Sequence, residues 1–320
     1  MLALRVRRLV GPAGLSLDEV PESIRKNDRN SVRVAIRAAG VGYIDTLSCR
    51  GEFDCVMRLP FVPGLEISGE VTSAPEGCGY SAGDRVVGYV GAGGFAEYAW
   101  VSPDMLAPLP RELSFAEGAA IVVNFHAALV ALWRRAQLCA GELVLVHGAG
   151  GGLGSAMVQI AAALGARVVA VAGSAERRAV ARAAGASHVV GPDEWCDAVK
   201  AAGGVDIIVD PVGGRTFEQS LECLAPEGRL VSVGCAGNEI SRAPAECLML
   251  RGTTVMGMLW PEMLKRDRSL FGRTAKQLDD LVTTGLRPIV TKTYDLADGK
   301  EAMDAIENRT SSGKLVLVMP

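Results

Sequence analysis

The chain has 320 residues, 49% of them hydrophobic, which is enough for two domains that each bury a core. Lys plus Arg number 33 against 36 Asp plus Glu, and a formal net charge of -3 leaves no basic footprint for nucleic acid. No apolar run of about 18 residues reads as a membrane span, and the eight cysteines never fall as C-x-x-C, so neither a zinc ribbon nor a redox dithiol is signalled.

The start, MLALRVRRLVGPAGLSL, is rich in arginine and free of acid before Asp18. Its Leu4, Val6 and Leu9 alternate as in a strand and Gly11-Pro12 breaks the run, so a first β-strand is expected rather than a transit peptide. With the scattered cysteines, this places the chain in the cytoplasm.

Residues 1–124 read as β-rich. SVRVAIRAAGV (31–41), EISGEVTSA (66–74) and DRVVGYV (84–90) are strand-like runs between Gly and Pro turns, a pattern that a small antiparallel barrel satisfies. A helical stretch starts near Ser114 and runs on past His126. From 142 the texture becomes strand–helix alternation: RVVAVAG, a helix from Ala175 to Ala184, HVVG, VDIIVDPVGG, a helix near Thr216–Leu224, GRLVSVG, TTVMGML and a long helix from about Met263 to Thr284. Such alternation predicts an α/β fold with a doubly wound parallel sheet. The tail, IVTKTYDL, a helix after Asp298 and KLVLVMP, is too short for a domain and is expected to return to the barrel. The expected boundaries are 1–124, 125–288 and 289–320.

The most informative stretch is ELVLVHGAGGGLGSAMVQIAAAL, Glu142–Leu164. An apolar strand, a turn with Gly148, Gly150, Gly151, Gly152 and Gly154, and a helix from Ser155 are the context of a dinucleotide-binding turn. Glycines let the backbone approach a pyrophosphate, and the helix N-terminus offers free N–H groups to the anion. Ala149 stands where the strict G-x-G-x-x-G pattern has its first glycine. The expected contacts are Ala149, Gly150, Gly151, Gly152 and Leu153. At the end of the next strand an NAD enzyme carries Asp or Glu for the ribose 2′-hydroxyl. Here Ala172-Gly173-Ser174 is followed by Arg177 and Arg178, a set that suits a 2′-phosphate. NADPH is therefore the expected cofactor, with Gly173, Ser174 and Arg177 at its phosphate.

In order, GVGYIDTLSCRGEF (40–53), LPFVPGLEISGEV (59–71), AGDRVVGY (82–89), GGFAEYAWV (93–101), the glycine turn, VDPVGG, LAPEGRLVSVG and GKLVLV resemble the medium-chain dehydrogenase/reductase superfamily, in its zinc-free quinone oxidoreductase branch. The resemblance implies a GroES-like β-barrel domain joined to a Rossmann domain, with cofactor and substrate in the cleft between them. It adds Val212, Gly234 and Lys314 to the cofactor contacts. It also implies a substrate cleft walled by Tyr43, Phe53, Asn124 and Trp260, its shape depending further on Met57. Zinc-dependent relatives have a Cys-His pair and a Gly-His-Glu where this chain has Gly42-Tyr43 and Gly64-Leu65-Glu66. Glu66 alone cannot hold a catalytic zinc, so no metal is expected.

Three departures stand out. Members often have Asn at position 42, a Tyr after the strand at Val189-Val190, and, in enoyl-thioester reductases, a proton-donating Tyr where this chain has Phe53. Tyr43 and His126 are the substitute acids, each with a plain alternative as a pocket wall or a packed helix histidine.

The sequence thus points to an NADPH-dependent oxidoreductase passing hydride to a small-molecule quinone or enone. An enoyl-thioester reductase and a non-catalytic NADPH-binding protein are the alternatives. Gly252–Leu259 reads as an apolar edge strand of the Rossmann sheet, which predicts a homodimer paired through that edge.

Overall fold

The computed structural model describes residues 1–21, 30–53, 58–237 and 239–320, so Met57 lies outside the described residues. Two compact units form: Met1–Val123 with Asp267–Pro320, and Asn124–Arg266.

The first unit opens with an antiparallel pair, β1 (Leu2–Val6) and β2 (Leu15–Glu19). A ten-residue strand, β3 (Val32–Val41), then organises a larger sheet. It is followed by a short helix, α1 (Tyr43–Arg50), and by β4 (Glu66–Ser73), β5 (Arg85–Tyr89), β6 (Tyr98–Val101) and β7 (Leu106–Pro108). On one side β3 pairs along its length with β4. On the other, Val32–Ala35 pair with β6 while Ala38–Val41 pair with a strand from the chain's end. Register shifts near Arg33 and Ile36 mark bulges, which bend a strand and let it serve two partners. Alternate residues Val32, Val34 and Ile36 are buried, as a sheet with one face on a core requires.

Helix α2 (Phe115–Leu129) carries the chain from the first unit into the second and ends in a π-helical turn, Val130–Arg135. The span Phe115–Arg135 is long and apolar enough to cross a membrane, contrary to the expectation that no such run exists. Of its most apolar window, 78% is buried inside the protein, so its hydrophobicity is spent on packing.

The second unit is a six-stranded parallel sheet. In chain order it comprises β8 (Leu143–Val146), α3 (Gly152–Ala163), β9 (Arg167–Val171), α4 (Ala175–Ala183), β10 (His188–Val190), α5 (Trp195–Ala201), β11 (Val205–Asp210), α6 (Gly214–Cys223), β12 (Leu224–Ser232), α7 (Ala245–Arg251), β13 (Thr254–Gly257) and α8 (Trp260–Arg266). The strand order β10-β9-β8-β11-β12-β13 places the topological switch between β8 and β11, where doubly wound sheets bind ligands beyond their carboxyl ends. Val144, Leu145, Val146, Ile207, Ile208 and Val209 are fully buried, as central strands covered on both faces must be.

The chain then returns to the first unit with α9 (Ser269–Thr283), β14 (Val290–Asp295), α10 (Gly299–Glu307) and β15 (Lys314–Val318), which pairs antiparallel with β3. The long helix expected from Met263 to Thr284 is two helices, broken at Asp267-Arg268. The break is held by charge: Arg268 donates to both oxygens of Asp104, and Arg273 to Asp267. Helix α9 packs on β7 in the first unit, so the compact second unit ends at Arg266, short of position 288.

Candidate active site

The glycine turn sits at the carboxyl end of β8. The His147 N–H donates to the Val209 carbonyl and that of Ala149 to the Val171 carbonyl, tying the turn to the ends of β11 and β9. Gly148 has φ +59°, and a Cβ on Gly154 would collide with the Gly148 backbone. A Cβ on Gly150 would lie 2.5 Å from the Arg177 carbonyl oxygen and 2.6 Å from its Cα, so only glycine lets α4 approach here. Gly151 caps α3 with no side chain, leaving the amides of Gly152, Leu153 and Gly154 without helical acceptors. Those N–H groups and the helix's partial positive charge are what a pyrophosphate needs.

The loop after β9 lies beside this turn. Ser174 caps α4 by accepting from the Arg177 N–H at 3.2 Å, and Arg178 donates to the Gly173 carbonyl at 2.9 Å. A Cβ on Gly173 would meet nothing within 4 Å, so there is open space at the loop. The contact of Gly150 on Arg177 brings the first turn of α4 to the phosphate-binding turn. Ala149, Gly150, Gly151, Gly152, Leu153, Gly173, Ser174 and Arg177 are therefore all at one end of one sheet.

The loops after β11 and β12 complete that end. The Val212 carbonyl accepts from Gly237 N at 2.8 Å, and a Cβ on Gly234 would lie 3.1 Å from the Pro211 oxygen. Their shape depends on Asp210, a residue not singled out from the sequence. Its fully buried carboxylate accepts from Val212 N at 2.7 Å and from Gly213 N at 3.1 Å, while burial raises its pKa. The signal was present in D-P-V-G-G, where an Asp side chain bonds its own backbone two residues on. His147, also not singled out, is buried between the Trp195 ring, 4.6 Å away edge-on, and the Ser220 hydroxyl at 2.9 Å.

In the first unit, the positions aligned with zinc ligands are knit together by protein groups. Asp45 accepts from Gly42 N at 2.8 Å and from Gly64 N at 3.1 Å. Glu66 accepts from Val123 N at 2.6 Å and from the Lys314 ammonium, and both ion-pair partners are buried. A Cβ on Gly42 would sit 3.9 Å from Lys314 Nζ. Burial pushes Asp45 up to about 7 and also raises Glu66, with Lys314 opposing both. An internal ammonium thus already neutralises Glu66, and Gly42 and Leu65 offer no ligand atoms, so these residues do not fit a catalytic zinc. Lys314, expected at the cofactor, has its amine on Glu66 in this unit.

The remaining expected residues divide by unit. Tyr43 begins α1 half-exposed, at the opposite end of the helix from Arg50, whose guanidinium bonds Glu52 and Glu307; Phe53 is half-buried nearby in sequence. In the second unit Asn124 is half-buried, while Trp260 is only 1% exposed, its ring centroid 5.3 Å from that of His126. Burial drives His126 down to about 3, so its ring is neutral near pH 7 and has the environment of a packed histidine rather than of an acid.

Comparison with known proteins agrees with this architecture. Residues 28–111 match the alcohol dehydrogenase GroES-like domain, and residues 152–273 match the zinc-binding dehydrogenase family. The quinone oxidoreductase of Sus scrofa is 33% identical over 333 positions, covering 100% of this chain and 98% of its own. The quinone oxidoreductase-like protein 2 of Bos taurus is 33% identical over 95% of this chain and 88% of its own. Among solved structures, a probable oxidoreductase from Mycobacterium abscessus superposes with TM-score 0.91 at 38% identity, covering 99% of this chain and 98% of that one. The quinone oxidoreductase of Thermus thermophilus, determined also as its complex with NADPH, superposes with TM-score 0.87 at 35% identity, covering 99% of this chain and 100% of that one. The chain belongs to the medium-chain dehydrogenase/reductase superfamily, in its quinone oxidoreductase branch, and is an oxidoreductase of the nicotinamide-dependent type.

Proposed function

We propose that this protein is an NADPH-dependent, zinc-independent reductase of quinones or of C=C bonds activated by a carbonyl. The observation that carries the reading is the contact of Gly150 on Arg177, which brings the arginine-bearing first turn of α4 to the phosphate-binding turn, just past Ala172, where an NAD enzyme carries its carboxylate. Bound NADPH supplies a hydride, and the protein's task is to hold and orient it. The amides of Gly152, Leu153 and Gly154 take the pyrophosphate, the Ser174 hydroxyl and Arg177 take the 2′-phosphate, and the loops carrying Val212 and Gly234 complete the nicotinamide end. The Thermus relative's complex with NADPH supports this choice.

Reduction without a metal suits an acceptor whose own carbonyl withdraws electrons, and Lys314 on Glu66 favours that chemistry over zinc-assisted alcohol oxidation. Phe53 has no proton to give and His126 is neutral, which leaves Tyr43 or solvent water as the proton source in this reading. The test is NADPH oxidation across quinones, enones and enoyl thioesters, with elemental analysis and a chelator control. Turnover with quinones or enones, no stoichiometric zinc and no chelator effect are expected. One zinc per chain, or turnover confined to enoyl thioesters, would overturn the reading.

The assembly belongs to the same proposal. Strand β13 is at the sheet edge, and near it in sequence Ile240, Met249, Leu250 and Leu259 are exposed. A second copy paired on β13 would cover an edge that soluble proteins rarely leave open.

A further inference from the structure

Cys196 is the second residue of α5, Cys223 is the last of α6, and their sulfurs are 3.2 Å apart although 27 positions separate them in the chain. We propose that these two cysteines form a reversible intrachain disulfide that fastens α5 to α6 beside the strand leading into the glycine turn. Bond formation requires the sulfurs to close by about 1.1 Å, a shift within reach of side-chain rotation at a helix start and a helix end.

The two thiols differ in a way that sets an order. Cys196 is half-exposed, whereas Cys223 is 1% exposed within the core formed with Trp195, Val199, Phe217 and Leu221. An oxidant therefore meets Cys196 first. Lys200 lies one turn further along α5, and its ammonium is paired with Glu222 on α6 at 2.7 Å, a second tie between the same two helices. Burial and the adjacent sulfur push Cys223 up to about 12, so it stays protonated until a partner is oxidised. With a hydroperoxide as oxidant, the Cys196 thiolate attacks the O–O bond and becomes a sulfenic acid as water or alcohol leaves. Cys223 sulfur then attacks Cys196 sulfur, the S–O bond breaks, and the Cys223 proton departs with the oxygen as water. Two thiols are oxidised by two electrons and one peroxide bond is reduced. A dithiol reverses the bond by exchange.

The location gives the bond a consequence. Trp195, next to Cys196, packs on His147, and Ser220, one turn before Cys223, bonds the His147 ring. His147 follows β8 and immediately precedes the glycine turn, so the disulfide would join the two helices that grip it.

The test uses the intact wild-type chain and does not rest on the cofactor reading. Folded protein is treated with hydrogen peroxide, alkylated under denaturing conditions, digested without reductant and analysed by mass spectrometry, with thermal unfolding in parallel. The expected result is a Cys196–Cys223 linked peptide, a higher unfolding temperature and reversal of both by dithiothreitol. Cys196→Ser and Cys223→Ser should each abolish the linkage and the temperature shift, while Cys235→Ser, at an exposed position, should leave both intact. Full alkylation of both cysteines after peroxide, over-oxidation of Cys196 with Cys223 still a free thiol, or linkage of Cys196 only to another chain would overturn the proposal.

Discussion

Replacing Lys314 by Met should destabilise the first unit by several kcal/mol, out of proportion to the loss of one surface charge. In the ion pair the Lys314 side chain is 5% exposed and that of Glu66 3%. Removing the ammonium strands a buried carboxylate that keeps the Val123 N–H, at 2.6 Å, as its donor. Breaking a buried pair from one side costs about 3–5 kcal/mol. Adding Glu66→Gln to Lys314→Met removes the stranded charge while an amide oxygen can still accept from Val123, so the double variant should recover much of the loss. The pH dependence has a definite sign. Burial already raises Glu66, and without Lys314 it rises further. A carboxyl with a raised folded pKa favours the folded state when protonated, so the Lys314→Met deficit should shrink as pH falls and grow as it rises. Urea unfolding of the four proteins of the cycle, at pH 5.5 and 7.5, with midpoints compared at constant slope, reads both effects. A single-variant loss below about 1 kcal/mol, the scale of an exposed pair, or losses that simply add, would refute the reasoning.

Other outcomes follow from particular contacts. Asp45, raised to about 7 from 3.8, should favour folding fully below pH 3.8 and lose that contribution as pH rises to about 7; Asp45→Asn should flatten stability over that window, and an unchanged slope would show that Asp45 does not titrate there. Gly150→Ala would push a methyl group onto the Arg177 backbone, an overpacking cost of about 1–3 kcal/mol. NADPH affinity in a fluorescence titration should fall about tenfold or more (~1.4 kcal/mol), and unchanged affinity would refute the close contact. Val255→Pro removes a ladder N–H at the β13 edge and should shift a dimer towards the monomer in light scattering; a monomeric wild type or an indifferent dimer would rule out that interface.

The parts of this protein that repeat a local pattern were legible in the sequence. Strand β8, the glycine turn and α3 carry their signal within about twenty residues, and β3, β4 and β5 fall inside the runs SVRVAIRAAGV, EISGEVTSA and DRVVGYV. Helix α7, AECLMLR, escaped because its apolar residues Cys247 to Leu250 are consecutive rather than spaced as a helical stripe, and none of them is buried. The break between α8 and α9 escaped because it depends on Arg268 reaching Asp104, 164 positions away. Distance in sequence also hid the centre of the first unit: Glu66 and Lys314 are 248 positions apart, and nothing near either residue announces the other. By resemblance Lys314 in GKLVLV reads as a cofactor contact, whereas its ammonium is on a buried carboxylate. Trp260 reads as a cleft wall, and only packing in three dimensions reveals an enclosed ring against His126.

Titrating NADPH and NADH into the wild type and into Arg177→Ala shows whether Ser174 and Arg177 hold the 2′-phosphate of NADPH. The wild type should bind NADPH the more tightly. The variant should lose about 1–3 kcal/mol for NADPH, the scale of hydrogen bonds to a charged group, with NADH nearly unchanged. Equal losses for the two cofactors, or a wild type that prefers NADH, would contradict the account.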